Sequence, residues 1–262
     1  MDGLRSARLK LARAHELNEL VDREVQAWHA ASSPFLINSI EPSATGSGRD
    51  LVVRVGGLAP VTDALVLAVD DSLHHMRTAL DHVVWQLVTD NGGVQSRQAF
   101  PVLRTAPVTS KERASWRASI DGVTTAVRDV IERFQPYNQA VPETFENSTL
   151  WVLHQLDIVS KHRSVVSIAP FSGAYRMEIT EGMGGLRFEV GRPCRPDPSQ
   201  PPAAVRVSGI PFDFADPGDW IGISHPLLLL ESSEHVGGEL VSVLGRAERW
   251  ARKIVDELEA VR

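Results

Sequence analysis

Cys194 is the only cysteine in this chain of 262 residues, so no intramolecular disulfide can form. That absence fits a reducing compartment and sets aside the disulfide-stapled secreted class. Cys194 lies in Arg192-Pro193-Cys194-Arg195-Pro196-Asp197-Pro198, without the neighbouring histidine or apolar frame that would make it a nucleophile. Long apolar runs are also missing. The longest, Ala64 to Val69, falls far short of the roughly 20 residues a membrane span needs. Met1 to Trp28 carries charges throughout and no apolar export core. The expectation is therefore a cytoplasmic protein with no membrane partner. Excess positive charge is absent as well. A net charge of -6 speaks against a protein that coats nucleic acid through bulk charge, while leaving a local basic patch able to hold phosphates. No internal repeat and no Gly-x-Ser-x-Gly elbow occur. Gly182-Met183-Gly184-Gly185 lies between two strand-like runs and reads as a turn rather than a phosphate loop.

What is present is an ordinary hydrophobic content of 43%, enough for one substantial core. Leu4, Ala7, Leu11, Ala14, Leu17, Val21, Val25 and Trp28 recur at three and four residues and predict a helix over Leu4 to Ala30. Two β-rich runs, Phe35 to Ile40 and Leu51 to Val55, suggest a hairpin. A long helix is expected from Val61 to Thr89, stopped by Asn91-Gly92-Gly93. Shorter helical patterns follow the Phe100-Pro101 loop, near Ser110 to Ile120 and Val123 to Phe134. Another spans Thr144 to His162, with Thr144 and Ser148 as candidate caps. Short runs split by Gly and Pro come next, and Val236 to Val261 returns to helix. The expected fold class is α+β: a helical bundle with an antiparallel β-sheet inserted before the C-terminal helix. It is expected as a single domain over 1–262. The bundle would use 1–31, 60–163 and 235–262, the β hairpin 34–56, and the β-sheet insertion 164–232.

Chemistry concentrates on the long helix. At about 100° per residue, Asp70, His74, Arg77 and Asp81 form one polar stripe, and Asp71, His75, Thr78 and His82 a second. A later helix adds His154, Asp157, Lys161, His162 and Arg163. These groups titrate near neutrality or bind anions and metals. The bland reading is structural. Arg77 with Asp81, and Asp157 with Lys161, are spaced i, i+4 and would each contribute roughly a few tenths of a kcal/mol as surface pairs. Across an antiparallel helix pair, Arg77 with Asp157 and Asp81 with Lys161 or Arg163 would brace the bundle and specify register. A metal reading takes His75 and His82, one heptad apart, with His154 or His162 from a facing helix. No His-x3-His or Glu-x2-His pair supports it, and no metal or other cofactor is assigned.

The spacing Arg77-x4-His82 resembles the signature of the HEPN superfamily, whose members are small helical bundles and often metal-independent RNases. The wider phrase Arg77-x-Ala79-Leu80-Asp81-His82, with Lys161-His162-Arg163, resembles an uncharacterised bacterial family in which the second motif reads Asp-Lys-His-Arg. Ser160 stands in place of that Asp, and Thr78 in place of the polar residue that commonly follows the HEPN arginine. The resemblance implies an RNA- or nucleotide-binding homodimer, with both motifs lining one cleft. Arg77 would then hold the phosphate, His82 would transfer the proton, and Asp81 would orient a neighbouring side chain. His154, Asp157, Lys161, His162 and Arg163 would contact substrate. Because Arg77 and His82 lie about 140° apart around a helix, they need a helix end, a bend or a partner chain to converge. The alternative expectation is a non-enzymatic regulatory or interaction protein whose Arg/Asp/His network is structural.

Overall fold

The computed structural model describes residues 4–33, 35–42, 49–94, 96, 98–138, 148–162, 167–170, 174–178, 187–189, 205–208, 221–224, 227–230 and 238–262. In chain order its elements are α1 (Arg5–Ala31), β1 (Phe35–Pro42), β2 (Arg49–Gly56), α2 (Asp63–Asp90), α3 (Ser110–Ser119) and α4 (Thr125–Arg133). After a 3-10 turn at Pro136–Asn138 come α5 (Thr149–His162), β3 (Ser167–Pro170), β4 (Ala174–Glu178) and β5 (Arg187–Glu189). β6 (Val205–Ser208), β7 (Ile221–Ser224), β8 (Leu227–Leu230), β9 (Gly238–Glu239) and α6 (Leu240–Ala260) complete it. The chain forms two compact units. One comprises Met1–Glu24, Thr62–Ser167 and Leu229–Arg262; the other comprises Val25–Val61 and Ile168–Leu228.

The first unit is a body of helices. α1 buries Leu4, Ala7, Leu11, Ala14, Leu17 and Val21, one side of an otherwise charged helix. α2 starts where the Thr62 hydroxyl accepts the Leu65 N–H at 3.2 Å. It ends at Asn91, followed by Gly92 at φ +72°, a left-handed residue that suits glycine. Its buried side runs from Leu65 through Leu73, Met76, Leu80, Val83 and Val84 to Val88. α6 is capped by the Glu239 carboxylate, which accepts from the Val241 and Ser242 N–H groups. It buries Leu240, Val243, Leu244, Ala247, Ala251, Ile254, Val255 and Leu258.

The first and last helices run antiparallel. Arg8 meets Asp256 and Glu259, the Arg252 guanidinium donates to the Leu11 carbonyl, and Asn18 donates to Glu248 at 2.7 Å. α2 is antiparallel to α1 on another side. The Ser72 hydroxyl bonds Asn18 at 2.6 Å, and Ser6 bonds His82 at 2.7 Å. α3 carries a complete capping box, Thr109 with Glu112. Ser148, placed as a cap by its position before α5, has a buried hydroxyl without a hydrogen-bond partner among the described residues. Thr144, the other candidate cap, lies outside those residues.

The second unit holds two small sheets, ordered β1-β2-β6 and β5-β4-β7. β1 and β2 pair antiparallel from Phe35 with Gly56 to Pro42 with Arg49, and β2 pairs β6 from Asp50 with Ser208. The end of α1 is tied to the segment between β2 and α2. Trp28 Nε1 donates to the Ala59 carbonyl at 2.7 Å, and the Ser33 N–H donates to the Gly57 carbonyl at 2.9 Å.

These findings correct the expected α+β fold with one antiparallel sheet inserted before the C-terminal helix. The described body is predominantly helical, with six α-helices. The buried apolar side chains of α1, α2 and α6 form the core of that helical body. The segments read as one inserted sheet do not form one: β6 joins the hairpin of β1 and β2, while β4 pairs with β5 and β7. The physical reason is that two-residue alternation marks strand character and facing, but leaves the pairing partner open. Runs of three to five residues add too little contact to impose one sheet.

Candidate functional site

His74, Arg77 and Asp81, on the first polar stripe of α2, meet two different neighbours. One neighbour is the segment between α2 and α3. It enters the helical body at Phe100, whose side chain is fully buried. An extended buried segment has no helix or strand to satisfy its backbone, so side chains must do it. Asp81 Oδ1 accepts the Phe100 N–H at 2.9 Å, and Arg77 Nη2 donates to the Phe100 carbonyl at 2.7 Å. Arg77 Nη1 closes the ring with a charge-assisted bond to Asp81 Oδ1. Gln135, itself buried, continues the pattern after α4. Its amide nitrogen donates to the Pro101 carbonyl at 2.9 Å, and its oxygen accepts the Leu103 N–H at 3.0 Å. Ala99 is held by the Ser119 carbonyl at 3.0 Å. Proline at 101 brings no N–H that would need a partner.

The other neighbour is α5. Asp157, 4% exposed, accepts from two groups at once. His74 Nδ1 lies 3.0 Å from Oδ1, and Lys161 Nζ donates to Oδ2 at 2.7 Å. Because a carboxylate oxygen accepts, Nδ1 of His74 is the donor in this contact. Nε2 lies 3.4 Å from the Thr78 hydroxyl.

Three other imidazoles stand near this layer or beside it. Burial holds His154 neutral and pushes its pKa down to about 4, assisted by the charge of Arg77 and opposed by Asp157 and Asp81. Its Nδ1 is buried without a hydrogen-bond partner among the described residues, and its ring sits 6.0 Å from that of Trp151. Burial, then Lys10, lowers His82 below the ordinary imidazole range, while Asp81 opposes this. The same two causes lower His75.

The residues singled out by sequence thus divide. Arg77 and Asp81 come together on Phe100. His82 turns the other way, to Ser6 on α1, so this chain does not bring Arg77 and His82 to a common point. Asp157 pairs with Lys161 one turn away, as that spacing predicts, and across to α2 it takes His74 rather than Arg77. His154 lies within the electrostatic reach of both pairs. His162 ends α5, and Arg163 lies outside the described residues. No group of three or more His, Cys, Asp or Glu positioned for a metal ion occurs among the described residues. No described helix is long and apolar enough to cross a membrane. The backbone of Phe100, Gln135 and Ser6 were missed by sequence reasoning. The one available signal was the Phe-Pro dipeptide, an apolar anchor between helices that needed polar company.

No family model, no curated protein and no solved structure matches the chain.

Proposed function

We propose that this chain is a non-enzymatic regulatory or interaction protein in which the Arg77–Asp81 network is structural. The observation that carries this reading is the closed ring of Arg77, Asp81 and the Phe100 peptide. A phosphate-binding arginine needs free, outward donors. The Arg77 side chain is 8% exposed, and both of its terminal nitrogens are engaged within the chain. The HEPN-like reading, an RNA- or nucleotide-binding homodimer that cleaves RNA without metal, also needs His82 beside that phosphate. In this chain the His82 imidazole bonds Ser6 instead.

The deciding experiment incubates purified wild-type protein, Arg77→Ala and His82→Ala with single-stranded RNA and records thermal melts of all three. The proposal expects no cleavage by wild type and a clearly lower melting temperature for Arg77→Ala. Cleavage by wild type that both variants lose, with melts unchanged, overturns it in favour of the RNase.

A further inference from the structure

We propose that His74, Thr78 and Lys161 form a site for a tetrahedral oxyanion, sulfate or phosphoryl, whose occupancy is linked to proton uptake by His74. This goes beyond the structural role given to Arg77 and Asp81, because it concerns the outward side of the α2–α5 layer. Asp157 is buried, but the two groups it anchors are not: the His74 and Lys161 side chains are 42% and 37% exposed. One carboxylate therefore holds an imidazole and an ammonium that are each partly exposed. Thr78, half-buried and one turn after His74, adds a hydroxyl 3.4 Å from Nε2.

The proton linkage follows from the tautomer. With Nδ1–H given to Asp157, a neutral His74 presents a lone pair at Nε2, which repels an anion and accepts from Thr78 instead. Protonation turns Nε2 into a donor and frees the Thr78 hydroxyl. The outer groups then offer an imidazolium N–H, a hydroxyl and an ammonium with two remaining N–H bonds. The local charge changes accordingly. Lys161 and Asp157 cancel, and a charged His74 adds one positive charge on the stripe that also carries Asp70. Arg77 is balanced by Asp81. The other titratable groups nearby are Asp70, Asp71 and His75 on α2 itself and His154 on α5. Lys10 and Arg13 of α1 act on His75. Three donors from two helices meet an anion with three or four oxygens better than a planar carboxylate with two, and lysine serves phosphates as a point charge.

Sulfate is the chosen probe because its charge stays constant across the pH range. Its binding is measured by calorimetry at fixed ionic strength, at about pH 5.5 and about pH 8, either side of the range in which imidazoles titrate. Saturable binding at the lower pH, at least about tenfold weaker at the higher, is expected. Lys161→Met should lose binding, and His74→Gln should lose its pH dependence. The folded wild type gives a variant-free reading, in which the His74 ring resonances move with sulfate at the lower pH. A short oligouridylate in a parallel titration separates the two sources. Binding with the same dependences assigns nucleic-acid phosphate, and sulfate binding alone assigns a free anion. No saturable binding at the lower pH, unmoved His74 resonances, or equal binding by Lys161→Met overturns the site.

Discussion

The Asp81 carboxylate accepts the backbone N–H of Phe100 at 2.9 Å. An acid that sequence reasoning placed in a catalytic group is thus bonded to the peptide of a fully buried phenylalanine. Removing either charge of the pair that holds this peptide should be costly. Arg77→Leu leaves Asp81 without its counter-ion, and Asp81→Leu leaves a nearly buried guanidinium unpaired. Each should lower unfolding free energy by about 3 kcal/mol, the low end for a broken buried pair, because Asp81 is 31% exposed and partly screened. The double variant should lose less than the sum of the two. Urea unfolding of the four proteins measures this directly, and additive losses would show that the two side chains act separately.

Acid should destabilise the chain through His154. Its folded pKa of about 4 lies below the ordinary imidazole value, so the unfolded chain takes up the proton more readily. The contribution is therefore fully present above about pH 6.5 and is lost as the pH falls through about 4. His154→Asn, which has no proton to gain, should flatten the decline of the urea midpoint across that window. An unchanged pH profile in the variant would assign the decline to other groups.

Lys10 couples two imidazoles on the neighbouring helix. It lowers both His75 and His82, after burial in each case. Lys10→Gln should therefore raise the titration midpoints of both rings in proton NMR. Asp81→Asn should act in the opposite sense on His82, because Asp81 favours its charged form. Movement of His82 in the same direction in both variants would contradict the arrangement.

α3 rests on its cap more than on packing. Trp116 is the one buried residue described for its ten positions. Thr109 accepts the Glu112 N–H at 3.2 Å, while the Glu112 carboxylate accepts from Thr109 and Val108 and is held below its ordinary range by those bonds. Thr109→Ala should cost about 1 kcal/mol in urea unfolding. Faster amide exchange is expected in the first turn of α3, with α2 unaffected.

Particular residues show how far the sequence could be read. The three-four spacing of Leu4, Ala7, Leu11, Ala14 and Leu17 marks the side of α1 that is buried, because a helical period is a local property. The Arg77–Asp81 pair was visible for the same reason, being one turn apart. That the pair also holds Phe100, 19 residues beyond Asp81, was not visible, since nothing local specifies where an extended segment returns. The choice of His74 rather than Arg77 as the interhelical partner of Asp157 depends on the axial offset of α2 and α5, which either spacing would tolerate. The inserted sheet failed on the same ground: alternation in 205–208 marks a strand, but its partner β2 lies about 150 residues earlier.

The ring around the Phe100 peptide also works as a gauge of alignment. A slip of α2 by one residue turns it about 100° and moves it about 1.5 Å. Such a slip would aim Arg77 and Asp81 away from that peptide and strand a charge in the apolar interior. The seating of α2 that quenches both ions on this peptide should therefore be favoured over mis-docked assemblies with equal apolar contact. The salt link thereby supplies uniqueness of arrangement, which apolar packing alone leaves loosely specified.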